Sequence, residues 1–155
     1  MRYRVLMTVL LVLLAAQVIS GCATVSTESV ETSTAAKNFD ALEDKGVVFL
    51  YRRGRMVGAA SSTQVKVNGI DAGGTGPGTF FRWELRPGKY TFLSSTGESS
   101  ATIAVDVEAG EVYYIEQTQR MGLDSGRVTM NVRDAKTGKA AVESGNMVVS
   151  AYVPE

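Results

Sequence analysis

The chain has 155 residues, with 16 basic against 16 acidic side chains, no histidine and one cysteine. Balanced charge excludes the electrostatic footprint of a nucleic-acid binder. The missing histidine removes the commonest general base and transition-metal ligand, and a lone thiol permits no internal disulfide.

The chain opens with Arg2 and Arg4, then an apolar run from Val5 to Ala16, then Ile19-Ser20-Gly21 before Cys22. A charged start, a short apolar stretch and small residues ahead of a cleavage point form the layout of a secretory signal peptide. From Val5 to Ile19 there are about 15 largely apolar residues, short of the ~20 that a helix needs to cross the hydrocarbon core. Gln17 interrupts them, and a polar tract follows instead of a basic flank. The motif ISGC resembles the lipobox of bacterial lipoproteins. That resemblance implies removal of residues 1–21, with Ile19, Ser20 and Gly21 read by the peptidase and lipid attached to the Cys22 thiol. Lipoproteins carry more than one acyl chain, which suffices for stable anchoring where a single chain does not. The same resemblance, with Ala23 standing where aspartate signals retention in the inner membrane of enteric-type bacteria, implies the outer membrane and a periplasm-facing domain. Cleavage leaves 14 basic and 16 acidic residues, a formal charge of −2.

Residues 22–45 are expected to form a lipidated tether. The stretch ATVSTESVETST is rich in Ser, Thr and Glu and lacks a core-forming pattern. Thr34 is placed to cap a short helix over AAKNFDALEDKG, with Phe39 and Leu42 spaced i, i+3 and Gly46 as its stop. Asp40, Glu43 and Asp44 on that helix read as a solvated face rather than a metal site.

From Gly46 to Glu155 the period is two. Val47-Val48-Phe49-Leu50-Tyr51 is continuous and apolar, as in a central strand covered on both faces. Gln64-Val65-Lys66-Val67 alternates into Asn68-Gly69, the strongest short hairpin signal. Phe81, Trp83 and Leu85 point one way and Arg82 and Glu84 the other. Pro87-Gly88 reads as a type II turn, with Tyr90 to Leu93 returning as the next strand. Ile103, Val105 and Val107 alternate up to a turn at Ala109-Gly110, Val112 to Gln117 follows, Arg127 to Arg133 alternates again, and Met147 to Val153 is a last apolar run. Tyr113 and Tyr114 take opposite faces, one expected in the core and one as an exposed platform. Such spacing predicts an all-β antiparallel sandwich over residues 46–155.

The segments FLYR, VKVNGIDAG, WELRPGKYTF and VEAGEVYYI resemble an uncharacterised family of bacterial lipoproteins whose domain is similar to PEGA-like and transthyretin-like sandwiches. The resemblance runs from Val48 to Gln117. It implies a β-sandwich in the cell envelope and supplies no catalytic residue. This chain departs from the pattern after FLYRR, where proline is lacking, and beyond Met121.

Other features invite chemistry. Gly73-Gly74-Thr75-Gly76-Pro77-Gly78 runs into a strand rather than a helix N-terminus, so it reads as an inter-strand loop and not a phosphate cradle. Thr137-Gly138-Lys139 reads as a turn. No Gly-x-Ser-x-Gly elbow or Ser-x-x-Lys pair occurs, so an enzyme is not expected, an unrecognised hydrolase being the remote alternative. No cofactor or metal is implied. Arg52, Arg53 and Arg55 are the densest basic cluster; guanidinium forks grip phosphates and carboxylates, although a solvated strand end is the plainer reading. The expectation is a lipid-anchored, non-catalytic binding or structural module. Its partners would be the membrane, envelope proteins or anionic cell-wall polymer, and not nucleic acid. The alternative is an accessory subunit that docks on a larger envelope complex by strand addition.

Overall fold

The computed structural model describes residues 25–54, 62–123 and 125–155. Nine strands are described: β1 Gly46–Arg52, β2 Thr63–Val67, β3 Ile70–Thr75, β4 Thr79–Leu85, β5 Gly88–Ser95, β6 Ser100–Val107, β7 Val112–Arg120, β8 Arg127–Arg133 and β9 Asn146–Met147. Two helices accompany them, α1 Val30–Ala35 and α2 Ala135–Glu143. The strands form a five-stranded sheet, β8-β7-β1-β4-β9, facing a four-stranded sheet, β3-β2-β5-β6. The chain is an all-β sandwich.

β1 is central, as its unbroken apolar run requires. It pairs antiparallel with β4 and parallel with β7, and all seven of its residues are buried. Val48 and Leu50 face the opposing sheet, while Val47, Phe49 and Tyr51 face a second cluster beneath α2. The four-stranded sheet is antiparallel throughout. The β1–β7 and β4–β9 pairs are parallel, so the five-stranded sheet is mixed. Trp83 centres the inter-sheet core, stacked on Phe81 at 4.9 Å and Phe92 at 5.8 Å, with its indole N–H donating to Ser150 Oγ at 2.9 Å.

Asn68-Gly69 makes the β2–β3 hairpin turn with φ of 49° and 82°, the two positive values of a type I′ turn. Pro87-Gly88 does not make a hairpin. β4 lies in one sheet and β5 in the other, so Arg86-Pro87 is a corner that carries the chain across the sandwich. Gly88 has φ 153°, outside a type II turn yet still unfavourable for a side chain.

The tether expectation fails from Val25 onward. Thr27 bridges Val148, Glu28 N–H donates to the Met147 carbonyl at 2.9 Å, and Val149 N–H donates to the Ser26 carbonyl at 3.0 Å. These bonds satisfy the free edge of the short β9, which the polar, β-tolerant residues Ser26, Thr27 and Glu28 supply. The helix also starts earlier than expected. Ser29 is its N-cap, accepting from Thr32 N–H, and Thr34 lies inside it. Phe39 and Leu42 sit in irregular chain and pack against the second cluster, while Asp40, Glu43 and Asp44 are exposed there.

Thr137-Gly138-Lys139 is helical, not a turn. Gly138 in α2 lies against the Tyr114 ring, where any Cβ would overlap it. Close approach therefore outweighs glycine's poor helix propensity, about 1 kcal/mol below alanine. Neither Tyr113 nor Tyr114 forms an exposed platform. Tyr114 is buried under α2, and Tyr113 packs on the inter-sheet core, its hydroxyl accepting from Glu108 N–H at 3.0 Å.

Candidate functional site

Strand alternation separates the basic residues that the sequence groups together. Arg52 turns into the sandwich and is 4% exposed, with its guanidinium donating to Thr63 Oγ1 at 3.4 Å and the Thr75 carbonyl at 3.5 Å. Burial lowers its pKa. Arg53 turns to the outer face of the five-stranded sheet, and Arg55 lies outside the described residues, as do Ile19, Ser20, Gly21 and Cys22. The expected patch is thus not one surface: adjacent strand residues point to opposite faces.

Arg53 finds different partners. The register sets Tyr51 beside Glu116, Glu116 beside Asn131 and Tyr114 beside Arg133. On that outer face α2 covers Phe49 and Tyr114, and the polar half of the face stays open. Glu116, 5% exposed, accepts from Arg53 Nε at 2.8 Å through Oε1 and from Arg133 Nε at 2.6 Å through Oε2. One carboxylate thereby bridges two guanidinium groups, each of which carries further N–H donors on its terminal nitrogens. The surrounding cavity measures about 360 Å³ and is lined by Arg53, Glu116, Thr118, Arg120, Thr129, Asn131, Arg133 and Thr137.

Three guanidinium groups against one carboxylate make this depression cationic. The buried Tyr51 side chain stands next to Glu116 in the register, with Arg53 beside it. Its pKa is raised by burial first and by the Glu116 charge second, while Arg53 and Arg133 pull the other way. Asp134 caps α2 at the rim through Thr137 N–H at 2.9 Å. Hydroxyl, amide and guanidinium donors converge here. No group of three or more His, Cys, Asp or Glu side chains that could hold a metal occurs among the described residues.

Arg120, Arg133 and Glu116 carry no local signal in the sequence. They are separated from Arg53 by more than sixty residues and meet it only because β1 and β7 pair in parallel. A second polar cluster lies between the sheets: Thr75 Oγ1 donates to Gln117 Oε1, Gln117 Nε2 to Ser94 Oγ at 2.8 Å, and Ser94 Oγ to Met130 Sδ at 2.9 Å. This chain ties the sheets together near Arg52.

Fold and site define a β-sandwich protein with an arginine-rich depression on one outer face. Residues 42–142, which hold every arginine and the glutamate of that depression, match the family described as "Protein of unknown function (DUF2846)". The chain is also 30% identical over 136 residues to an uncharacterised protein of Haemophilus influenzae, covering 87% of this chain and 80% of that one. It belongs to the DUF2846 family.

Proposed function

We propose that this protein is a lipid-anchored, non-catalytic binding module of the bacterial cell envelope, with a domain of the PEGA-like or transthyretin-like kind. Its open outer face would hold the oxyanion groups of an anionic cell-wall polymer. The anchor reading is supported by the ISGC motif behind a short apolar run. The binding reading is carried by one observation, the Arg53–Glu116–Arg133 bridge in an open cavity. Glu116 holds each guanidinium by Nε and so fixes both forks. A carboxylate or phosphate arriving from solvent meets donors already oriented, which lowers the ordering cost of binding.

Co-sedimentation of the full chain with isolated cell wall tests this reading, at low and at physiological salt. Wild type is expected in the pellet at low salt and less so at physiological salt, where charges more than about 8 Å apart are screened. Arg53→Gln combined with Arg133→Gln should abolish retention, while Arg86→Gln, at the β4–β5 corner, should keep it. Failure of wild type to sediment even at low salt contradicts the binding reading.

A further inference from the structure

We propose that the outer-face depression is one end of a longer track along β7 and β8, with a second cationic station at Arg120 and Arg127. The track takes an extended acidic polysaccharide whose anionic groups engage both stations at once. The inference deepens the binding reading of the Arg53–Glu116–Arg133 bridge and rests on it.

The strand register lays the track out. On β7, Thr118 and Arg120 share the face of Glu116, because alternate strand residues point the same way. Their partners on β8 are Thr129 and Arg127, as Asn131 is that of Glu116. Residues directly opposite in an antiparallel ladder share a face, so all six side chains stand on the outer side. Glu116 gathers Arg53 and Arg133 at its own level. Thr118 faces Thr129 two residues on, and Arg120 faces Arg127 two residues beyond that. Four residue steps at ~3.3 Å each put the two stations about 13 Å apart.

The second station lacks what the first has. Glu116 compensates Arg53 and Arg133, whereas Arg120 and Arg127 are exposed and neither forms an ion pair among the described residues. Like charges directly opposite one another destabilise a sheet. An anion seated between the two guanidinium groups removes that repulsion and gains charge-assisted hydrogen bonds from both. Arg120 lines the same cavity as Arg53 and Arg133, and Arg127 extends it past the cavity's end.

The stretch between the stations selects the kind of polymer. Thr118, Thr129 and Asn131 line it without charge. Their hydroxyls and amide both donate and accept, which suits the hydroxyls of a sugar backbone; a bare polyphosphate offers them no such partners. At the opposite rim the Asp134 carboxylate, which caps α2, repels an anion. A chain seated on Arg53 and Arg133 therefore runs towards Arg120. Joining two weak contacts through one chain makes the second contact intramolecular, so the affinity exceeds that of either station.

The test is titration calorimetry of the full chain at low salt with oligogalacturonates of graded length, from the monosaccharide upward. Affinity should step up by roughly a hundredfold once an oligomer spans both stations. Arg127→Gln should erase most of that step, and Thr118→Val combined with Thr129→Val should reduce it. Urea denaturation should find Arg127→Gln at least as stable as wild type, since it removes a like-charge pair; this separates lost binding from lost fold. A smooth rise with length, or a step that survives Arg127→Gln, overturns the second station and leaves the Arg53–Glu116–Arg133 reading standing. Binding by no oligomer, or monosaccharide binding that is indifferent to Arg53→Gln with Arg133→Gln, overturns that reading and the track with it. Polyphosphate of matching length is the comparison: if it binds as tightly as the oligosaccharide, the saccharide assignment falls.

Discussion

Glu116→Gln tests whether the outer-face site is built as described. The substitution keeps the side chain's shape and one carbonyl acceptor but removes the charge shared by Arg53 and Arg133. The carboxylate is buried, with a side-chain exposure of 7%, whereas the two arginine side chains are 38% and 42% exposed. Stripping a partner from a fully buried pair costs about 3–5 kcal/mol, and an exposed pair is worth roughly 0–1 kcal/mol. Water can reach both guanidinium groups once Glu116 is neutral, so the cost should fall between these limits, at about 1–2 kcal/mol. Urea denaturation followed by Trp83 fluorescence reads it. Adding Arg133→Gln should cost less than the sum of the single changes, because the bond it removes is already weakened. A Glu116→Gln loss within about 0.5 kcal/mol, the range of ordinary surface substitutions, would refute the bridge as an organising element.

Gly138→Ala should destabilise, although helix propensity alone favours it by about 1 kcal/mol, because the new methyl overlaps a ring packed at 1% exposure; overpacking of that kind costs roughly 1–3 kcal/mol or more, and a gain in denaturation midpoint would contradict the packing. Trp83→Ala should cost about 3–5 kcal/mol by the same assay, since the indole stacks on two rings and donates to Ser150. Burial pushes the Tyr114 phenol up to about 12, so its native state favours the neutral form: that contribution is complete below the unfolded value near 10 and is lost as pH rises from there through about 12. Absorbance titration of tyrosinate should lose its latest-ionising component in Tyr114→Phe. Because this hydroxyl has no partner among the described residues, the same variant should be as stable as wild type or more so. The Asp134 carboxylate is held below its ordinary value by the Thr137 backbone N–H and hydroxyl, so its cap on α2 is intact above the unfolded pKa and weakens as pH falls through the depressed one; Asp134→Asn should flatten that acid limb.

Local features of the fold were legible and non-local ones were not. The central strand β1 follows from five consecutive apolar residues, and the first hairpin follows from Asn68-Gly69, because in both cases the determining chemistry lies within a few neighbours. Trp83 was placed inward by simple alternation. The Pro87-Gly88 corner misled because a proline–glycine pair stops a strand without specifying whether the chain turns back in the same sheet or crosses to the other. Gly138 suggested a turn, since the reason for glycine there is a ring from β7 that no local pattern reveals. The same holds for residues 25–29, whose polar composition suggests solvent until β9 offers an edge to pair with. For the site, Arg52 and Arg53 could have been divided by period-two alternation alone. Pairing Arg53 with Glu116 required knowing that β1 and β7 run parallel, which a sequence does not state.

The claim on which the anchored reading depends is lipidation of Cys22. Its most direct measurement is metabolic labelling with an alkyne palmitate analogue, wild type beside Cys22→Ser, followed by membrane fractionation. The account predicts a labelled, membrane-bound wild type and an unlabelled mutant, because a serine hydroxyl cannot form the thioether. An equally labelled mutant, or an unlabelled wild type, would contradict it.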